Sequence, residues 1–496
     1  MKRKVFYFFL LILLLISYFI IEHQNSLYSQ IKSNEATSTS GIVVTGELWE
    51  NYIGNDPSVG DYIAFRTLSK GGFQGLVLIV TSLDEYVNAI NLEGKIMDPY
   101  DGNALDALKT YVPITDILDK DSKQAYRELF LNTSEKNITI ESTNLKVTSM
   151  NLGDYLPVFA KGLLPPGYVS SMEGGLLIVG GRGPILFIDN DNKEIININS
   201  NLLELVSSQN YSSTSGSSDT SARMGVRDTF YDIESKNLYI SMITKNFNAP
   251  SYNCFGIGIF EADASNMKEN NILSFDLYYK TKSCMSNVNF QQSGGKIQRH
   301  LNGFLFTVGD FDQNNPRLLM DSSNELGKIL YIEGGIKKKN FSTGHRNPQG
   351  LYANNGLVYS TEHGPKGGDE INLVKEGVFY GWPIYSYGTE YSGEDIYIKP
   401  HGDEAMEPII YFTPSIAIAE IARYSGDEFS EWNENFLVGS LKDQSLYLIK
   451  IENIIDVISS TKIPIERRVR DITIDNYGVI WLITDDAMLV KITNEK

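Results

Sequence analysis

The chain carries only two cysteines in 496 residues, Cys254 and Cys284. A disulfide framework and a cysteine-rich metal centre are thereby excluded, while one bridge in an oxidising compartment and a pair of buried thiols both stay open. Basic residues are scarce too: 43 Lys and Arg against 61 Asp and Glu leave a net charge of -18 and a pI near 4.8. This argues against nucleic acid as a partner, because phosphate binding depends on clustered Lys and Arg, and suits a small neutral substrate. Long helical periods between the apolar strands are also missing, which counts against a parallel α/β barrel.

One long apolar run is present. Residues 1–4, Met-Lys-Arg-Lys, form a basic flank, and residues 5–21, VFYFFLLILLLISYFII, match one bilayer in length. No Ala-x-Ala-like site precedes Glu22, His23 and Gln24, so the run predicts an uncleaved signal anchor in the cytoplasmic membrane, with the basic end cytoplasmic and the rest periplasmic or extracellular. Residues 22–41 read as a flexible tether. Residues 42–154 read as an accessory region, α+β or an extra sheet. Its expected elements are a strand at 75–81, a pairing strand at 86–92 and a helix at 119–131.

From 155 to 496 one shape recurs: an apolar strand, a polar or Gly-rich loop, and a second apolar strand. It appears at 176–181 with 185–188, 238–243 with 256–260, 303–309 with 328–332, 356–360 with 370–374, 436–441 with 446–451, and 478–484 with 488–492. Starts spaced by roughly 40 to 80 residues suit four-stranded sheets, and six such units predict an all-β, six-bladed β-propeller with its site at the central channel.

The densest cluster of Gly, Pro, aromatic and charged residues is Gly344 to Tyr391. There a buried strand opens into the loop Glu362 to Glu370, too rich in glycine to pack as core, and such loops on rigid scaffolds are where sites are built. Arg346, Asn347 and Gln349 precede the fourth unit, His363 lies within it, Lys442 follows the fifth unit's first strand, and Arg468 and Arg470 precede the sixth. Taken singly these are ordinary solvated side chains, and Asp369-Glu370 an ordinary turn-capping pair. Converging on one channel, the basic groups would suit a multiply anionic ligand, since guanidinium pairs with carboxylate in two-pronged fashion.

GHRNPQG, EHGPKGGDEINL and YGWP, in that order, resemble the signature of the glucose/sorbosone dehydrogenases, soluble six-bladed propellers that oxidise aldoses with pyrroloquinoline quinone (PQQ). The resemblance runs from about Leu156 to Ile492 and is strongest from Gly294 onward. It implies PQQ bound by Arg346, Asn347, Gln349, Tyr391, Lys442, Arg468 and Arg470, with His363 in support. It further implies Ca²⁺ held by the Glu370 carboxylate and the Tyr380 carbonyl, and carbonyls of Gly364 and Pro365 offered to the cofactor's own calcium; such hard oxygens suit that ion. The implied reaction is oxidation of a sugar's C1 hydroxyl, with electrons passed to an acceptor that stays unidentified.

Three departures stand against the pattern. The family's general base is a His ahead of a Gly-Gly-Arg-Leu run; here the run is Gln291-Gln-Ser-Gly-Gly-Lys-Ile297, which puts Gln292, an amide and no base, at that position. The loop Pro414 to Glu420 reads PSIAIAE where relatives read PSIAPSG, and Arg223 to Arg227 replaces a Gly-Gln-Gly-Gly-like stretch. His363 is the candidate substitute base; His300 and His401 read as surface or structural. Two other readings stay open: a catalytically silent propeller acting as a surface binding or scaffold domain, and a Ca²⁺-dependent lactone or ester hydrolase.

Overall fold

The computed structural model describes residues 62–69 and 72–79 and, from 134 to 495, all but 141–142, 154, 157–164, 190–194, 209–224, 246–254, 284, 286–288, 314 and 395–396. The expected anchor, the tether, the segments at 86–92 and 119–131, Arg223 and both cysteines lie outside the described residues. Among the described residues no helix is long and apolar enough to cross a membrane. The chain divides into two units, 1–132 and 133–496. In the first, Gly72–Ile79 covers most of the strand expected at 75–81; its partner is the preceding segment Tyr62–Ser69, with Ser69 opposite Gly72.

The second unit is six sheets, antiparallel except where the short strand Ile272–Leu273 lies parallel to Ile195–Ser200. Their first strands are Gly167–Met172, Val226–Asp232, Gly294–His300, Pro348–Asn354, Ile418–Arg423 and Val469–Ile474, in blades I to VI. Each touches the next, and the last touches the first, so the six inner strands close a ring around an axis. Every strand pair expected from sequence supplies the second and third strands of a blade, as in Gly303–Val308 with Lys328–Glu333. These strands are apolar on both faces because each blade is sandwiched between two neighbours. Phe306 and Leu330 of blade III, for example, are fully buried against Ile257 of blade II, each such side chain contributing about 1.5–3 kcal/mol.

The start of the propeller differs from the expectation. Blade VI runs Val469–Ile474, Ile480–Thr484, Met488–Asn494 and then Thr143–Asn151 and Ser134–Ile140, so its outer strands come from the segment assigned to the accessory region. Met488 pairs with Asn151 and Asn494 with Leu145. The physical reason is edge closure: blade VI supplies only three strands from the C-terminal sequence, and the fourth has to come from elsewhere or leave Met488–Asn494 unpaired. The compact unit begins at Thr133 rather than at 155.

Five of the six inner strands carry a register shift at the end that begins the strand. In blade II Val226 pairs with Met242 and Asp228 with Ser241, which leaves Arg227 extra; in blades IV and VI the extra residues are Gln349 and Arg470. In blades III and V two residues face one, Gly295 and Lys296 opposite Thr307, and Ala419 and Glu420 opposite Gly439. A bulge re-aims side chains that regular alternation would send elsewhere. Gly295 is required in this: its φ is +119°, and a Cβ there would lie 2.5 Å from that of Arg227.

Candidate active site

The bulges bring five polar residues, Arg227, Lys296, Gln349, Glu420 and Arg470, to one end of the channel, with Gly295 and Ala419 beside them. Just inside, the Lys296 ammonium lies on the axis. It is 2.8 Å from Asp228 Oδ1 and 2.9 Å from Asp471 Oδ1, and also pairs with Glu420. Its Nζ stands 4.9 Å from the centre of the Tyr168 ring. The carboxylates reach onward to backbone amides: Val169 N–H donates to Asp471, Ile297 N–H to Asp228 and Leu351 N–H to Glu420. One lysine thus connects all six blades. Burial raises the Glu420 carboxyl well above the usual range and that of Asp228 to about 6, and the Lys296 ammonium opposes both shifts.

Above this hub Arg346, Arg468 and Arg470, expected from sequence, come together around His363. Arg346 Nη1 donates to the carbonyl of Gly364 at 2.9 Å, and its guanidinium lies 5.3 Å from the Trp382 ring. Asn347 Nδ2 donates to Gln291 O, and Gln349 Nε2 to Asn347 Oδ1. Arg468 and Arg470 grip a shared carboxylate, Asp485, at 2.7 and 2.8 Å. Lys442 is exposed on the loop between the second and third strands of blade V, and Tyr391 is exposed on the long segment that follows blade IV's third strand. His363 is half-buried. Burial lowers its imidazole to about 4; Asp369 opposes that shift, and the charges of Arg346, Arg470 and Arg468 add to it. It is neutral at pH 7 and a weak proton acceptor.

Sequence reading missed Arg182 and took Arg227 only as part of a departing stretch; both are buried at the same mouth. Burial lowers both to about 10, helped by Arg227's charge on Arg182 and by Arg470's on Arg227. A repeat was there to be seen: Val-Arg-Asp opens the inner strands of both blade II, 226–228, and blade VI, 469–471. In each, the Arg faces the mouth region and the Asp holds Lys296. Buried arginines that repel one another, together with an Arg346 Nε that lacks any partner among the described residues, fit a ligand with several carboxylates.

The residues implied for calcium lie behind the mouth. Glu370 is buried, its carboxyl raised well above the usual range by burial and by Glu362. Asn372 Nδ2 donates to both Glu362 and Glu370, while Asn372 Oδ1 has no partner among the described residues. His401, fully buried and not at the surface, sets Nε2 3.6 Å from Glu370. Tyr380 stacks on His345, centroids 5.0 Å apart, and donates its hydroxyl to Leu373 O. Crowded buried carboxylates beside an unmatched amide oxygen are the donor set a hard cation takes. At Gly364 the carbonyl accepts from Arg346, and Pro365 beside it is buried. Asp369 is more than a turn cap: its Oδ2 accepts from the Ser415 hydroxyl and Ile418 N–H, which fixes the loop opening blade V.

Gln292 closes a single 3₁₀ turn just before blade III's inner strand, where its Nε2 donates to Asp312. Fold and site define a β-propeller with a basic, partly buried mouth suited to a small polyanion. The sequence model for glucose/sorbosone dehydrogenases matches residues 234–491, and the chain belongs to that family. It is 30% identical over 216 residues to aldose sugar dehydrogenase YliI of Escherichia coli, a match covering 39% of this chain and 57% of the relative. It is 25% identical over 237 residues to quinoprotein glucose dehydrogenase B of Acinetobacter calcoaceticus, 34% and 49% of the two chains. These matches span about half the length of the curated relatives. The apo crystal structure of the E. coli soluble aldose sugar dehydrogenase superposes with a TM-score of 0.54 at 20% identity, over 70% of this chain and all of that one. A glucose dehydrogenase crystal structure gives 0.54 at 22%, over 69% and 99%. At these identities the superpositions establish the six-bladed fold.

Proposed function

We propose that this propeller is a PQQ- and Ca²⁺-dependent dehydrogenase that oxidises the C1 hydroxyl of an aldose, held outside the cytoplasmic membrane by an anchor at residues 5–21, with a membrane or periplasmic electron acceptor. The observation that carries the reading is the convergence of Arg346, Arg468, Arg470, Arg227 and Arg182 on one channel mouth in a chain of net charge -18. Arg346, Lys442 and the Arg468–Arg470 pair would hold the carboxylates of PQQ, with Asn347 and Gln349 ordering its edge. Glu370 and the Tyr380 carbonyl, with Asn372, would hold calcium. Bound PQQ supplies the two-electron oxidant. The protein's share is to fix the sugar against it and to give the departing C1 hydroxyl proton an acceptor.

A visible absorption titration of residues 31–496 with PQQ and Ca²⁺, followed by anaerobic addition of aldoses, tests this. Saturable binding with spectral reduction by a sugar is the expected result; no binding overturns it. A silent binding propeller is the second reading, favoured by Gln292 at the family's His position. It predicts binding without reduction.

A further inference from the structure

With Gln292 in place of an imidazole, the reaction needs a proton acceptor, and the carboxylates of the mouth loops differ sharply in what they can do. Asp485 is pinned between Arg468 and Arg470, which hold it below its usual range against the effect of burial. Asp369 is fully buried and accepts from Ser415 and Ile418. Asp443 pairs with Lys462 and accepts from the Tyr447 hydroxyl. Asp310 is fully buried, with Trp382 Nε1 at 2.9 Å on one oxygen and Asp312 N–H at 2.8 Å on the other. Asp312 alone among these is both exposed and bound to the residue at the altered position: Gln292 Nε2 donates to its Oδ1 at 3.3 Å.

Two further observations converge there. Gln292 is 8% exposed, and its Oε1 is a buried acceptor with no partner among the described residues. The backbone is also held in an unusual form, Phe311 at φ 54° and Asp312 at φ 68° in succession. Consecutive left-handed residues other than glycine persist only where their surroundings over-determine them. The clamps are visible: Phe311 N–H donates to Gln292 O, Asn289 N–H to Phe311 O, and Asp310 N–H to Arg346 O, which ties the turn to the basic mouth.

Resting on the dehydrogenase reading above, we propose that Asp312 is this chain's general base, oriented by the Gln292 amide. The Asp312 carboxylate takes the C1 hydroxyl proton as the C1 hydrogen leaves with its bonding electron pair, as hydride, for the o-quinone oxidant. The C–H and O–H bonds break, a C=O bond forms, and the products are a lactone, a protonated Asp312 and a quinone reduced by two electrons.

The test uses the exported chain and its Asp312→Asn and Asp312→Glu variants. Absorption titration reads PQQ binding first; stopped-flow then reads reduction by glucose from pH 4 to 9. Carbodiimide labelling with peptide mass spectrometry reads the accessibility of Asp312 with and without glucose. Expected are unchanged cofactor affinity, a rate at least about 100-fold lower in Asp312→Asn, partial rescue in Asp312→Glu, and loss of Asp312 labelling when glucose is added. An Asp312→Asn rate within about threefold of wild type, or glucose-independent labelling, overturns the assignment and leaves the dehydrogenase reading standing. Cofactor binding without any wild-type turnover overturns it as well. No cofactor binding at all brings down the dehydrogenase reading, and this assignment with it.

Discussion

Replacing Lys296 by Met keeps an unbranched stem of similar length and removes the single charge that three buried carboxylates share. Lys296 is about 5% exposed, and Asp228 and Asp471 approach it at 2.8 and 2.9 Å. Removing one member of a buried charge cluster costs about 3–5 kcal/mol, because the remainder is left uncompensated. A propeller unit of about 360 residues has an unfolding entropy near 0.75 kcal/mol/K, so the thermal midpoint falls by about 4–7 °C at neutral pH. The sign of the pH dependence follows from Asp228. Its folded value, about 6, lies above the ordinary 3.8, so its contribution is full below pH 3.8 and is lost as pH rises toward 6. Without the ammonium, Asp228 and Glu420 both titrate higher still. Wild type and Lys296→Met therefore nearly coincide at pH 4 and separate as pH rises to 8. Circular dichroism melts across that range read both quantities. A gap that does not change with pH, or a midpoint shift under 1 °C at pH 7.5, refutes the account of the hub as a charge cluster.

Arg346→Ala removes the donor to Gly364 O and is expected to weaken PQQ binding about 10- to 100-fold, as loss of a charge-assisted hydrogen bond of 1.5–3 kcal/mol requires; titration by absorption measures it. Calcium chelation by EGTA is expected to lower the melting temperature through the Glu370 cluster. Saturating the site near 100 times its Kd is worth about 2.7 kcal/mol, and Glu370→Gln is expected to abolish the EGTA response. Gln292→His is expected to raise the rate of aldose oxidation in PQQ-loaded protein, read by stopped-flow reduction; an unchanged rate shows that position 292 does not face the reacting carbon. A chain begun at residue 133 is expected to fold, whereas one begun at 155 leaves the edge Met488–Asn494 bare and aggregates on purification.

The repeat of apolar strand pairs was legible because the second and third strands of every blade are buried on both faces, as in Gly175–Gly180, buried at every residue. Ser134–Ile140 and Thr143–Asn151 were not, since the first has no buried residue among those described, the second alternates buried with half-buried ones, and the hairpin's partner strand lies at the far end of the chain. Arg346, His363, Arg468 and Arg470 were legible through motifs. The axial cluster was not: Asp228, Lys296, Glu420 and Asp471 come from four separate strands, and the bulges that re-aim Lys296 and Glu420 depend on pairing register. No local pattern encodes that register.

Seven residue pairs join Met488–Asn494 to Leu145–Asn151, segments some 340 residues apart in the chain. In kinetic terms this seam sets the order of events. Five blades can assemble from neighbouring sequence, but the ring cannot close until the last strand reaches the hairpin near the start, a contact of very high sequence separation and so a slow one. Until then the hairpin Ser134–Asn151 stands with both edges open, the species most exposed to mispairing. Once closed, the same seam works in the opposite direction: the ring opens only by unzipping it, so interactions confined to blade VI govern how long the folded protein lasts.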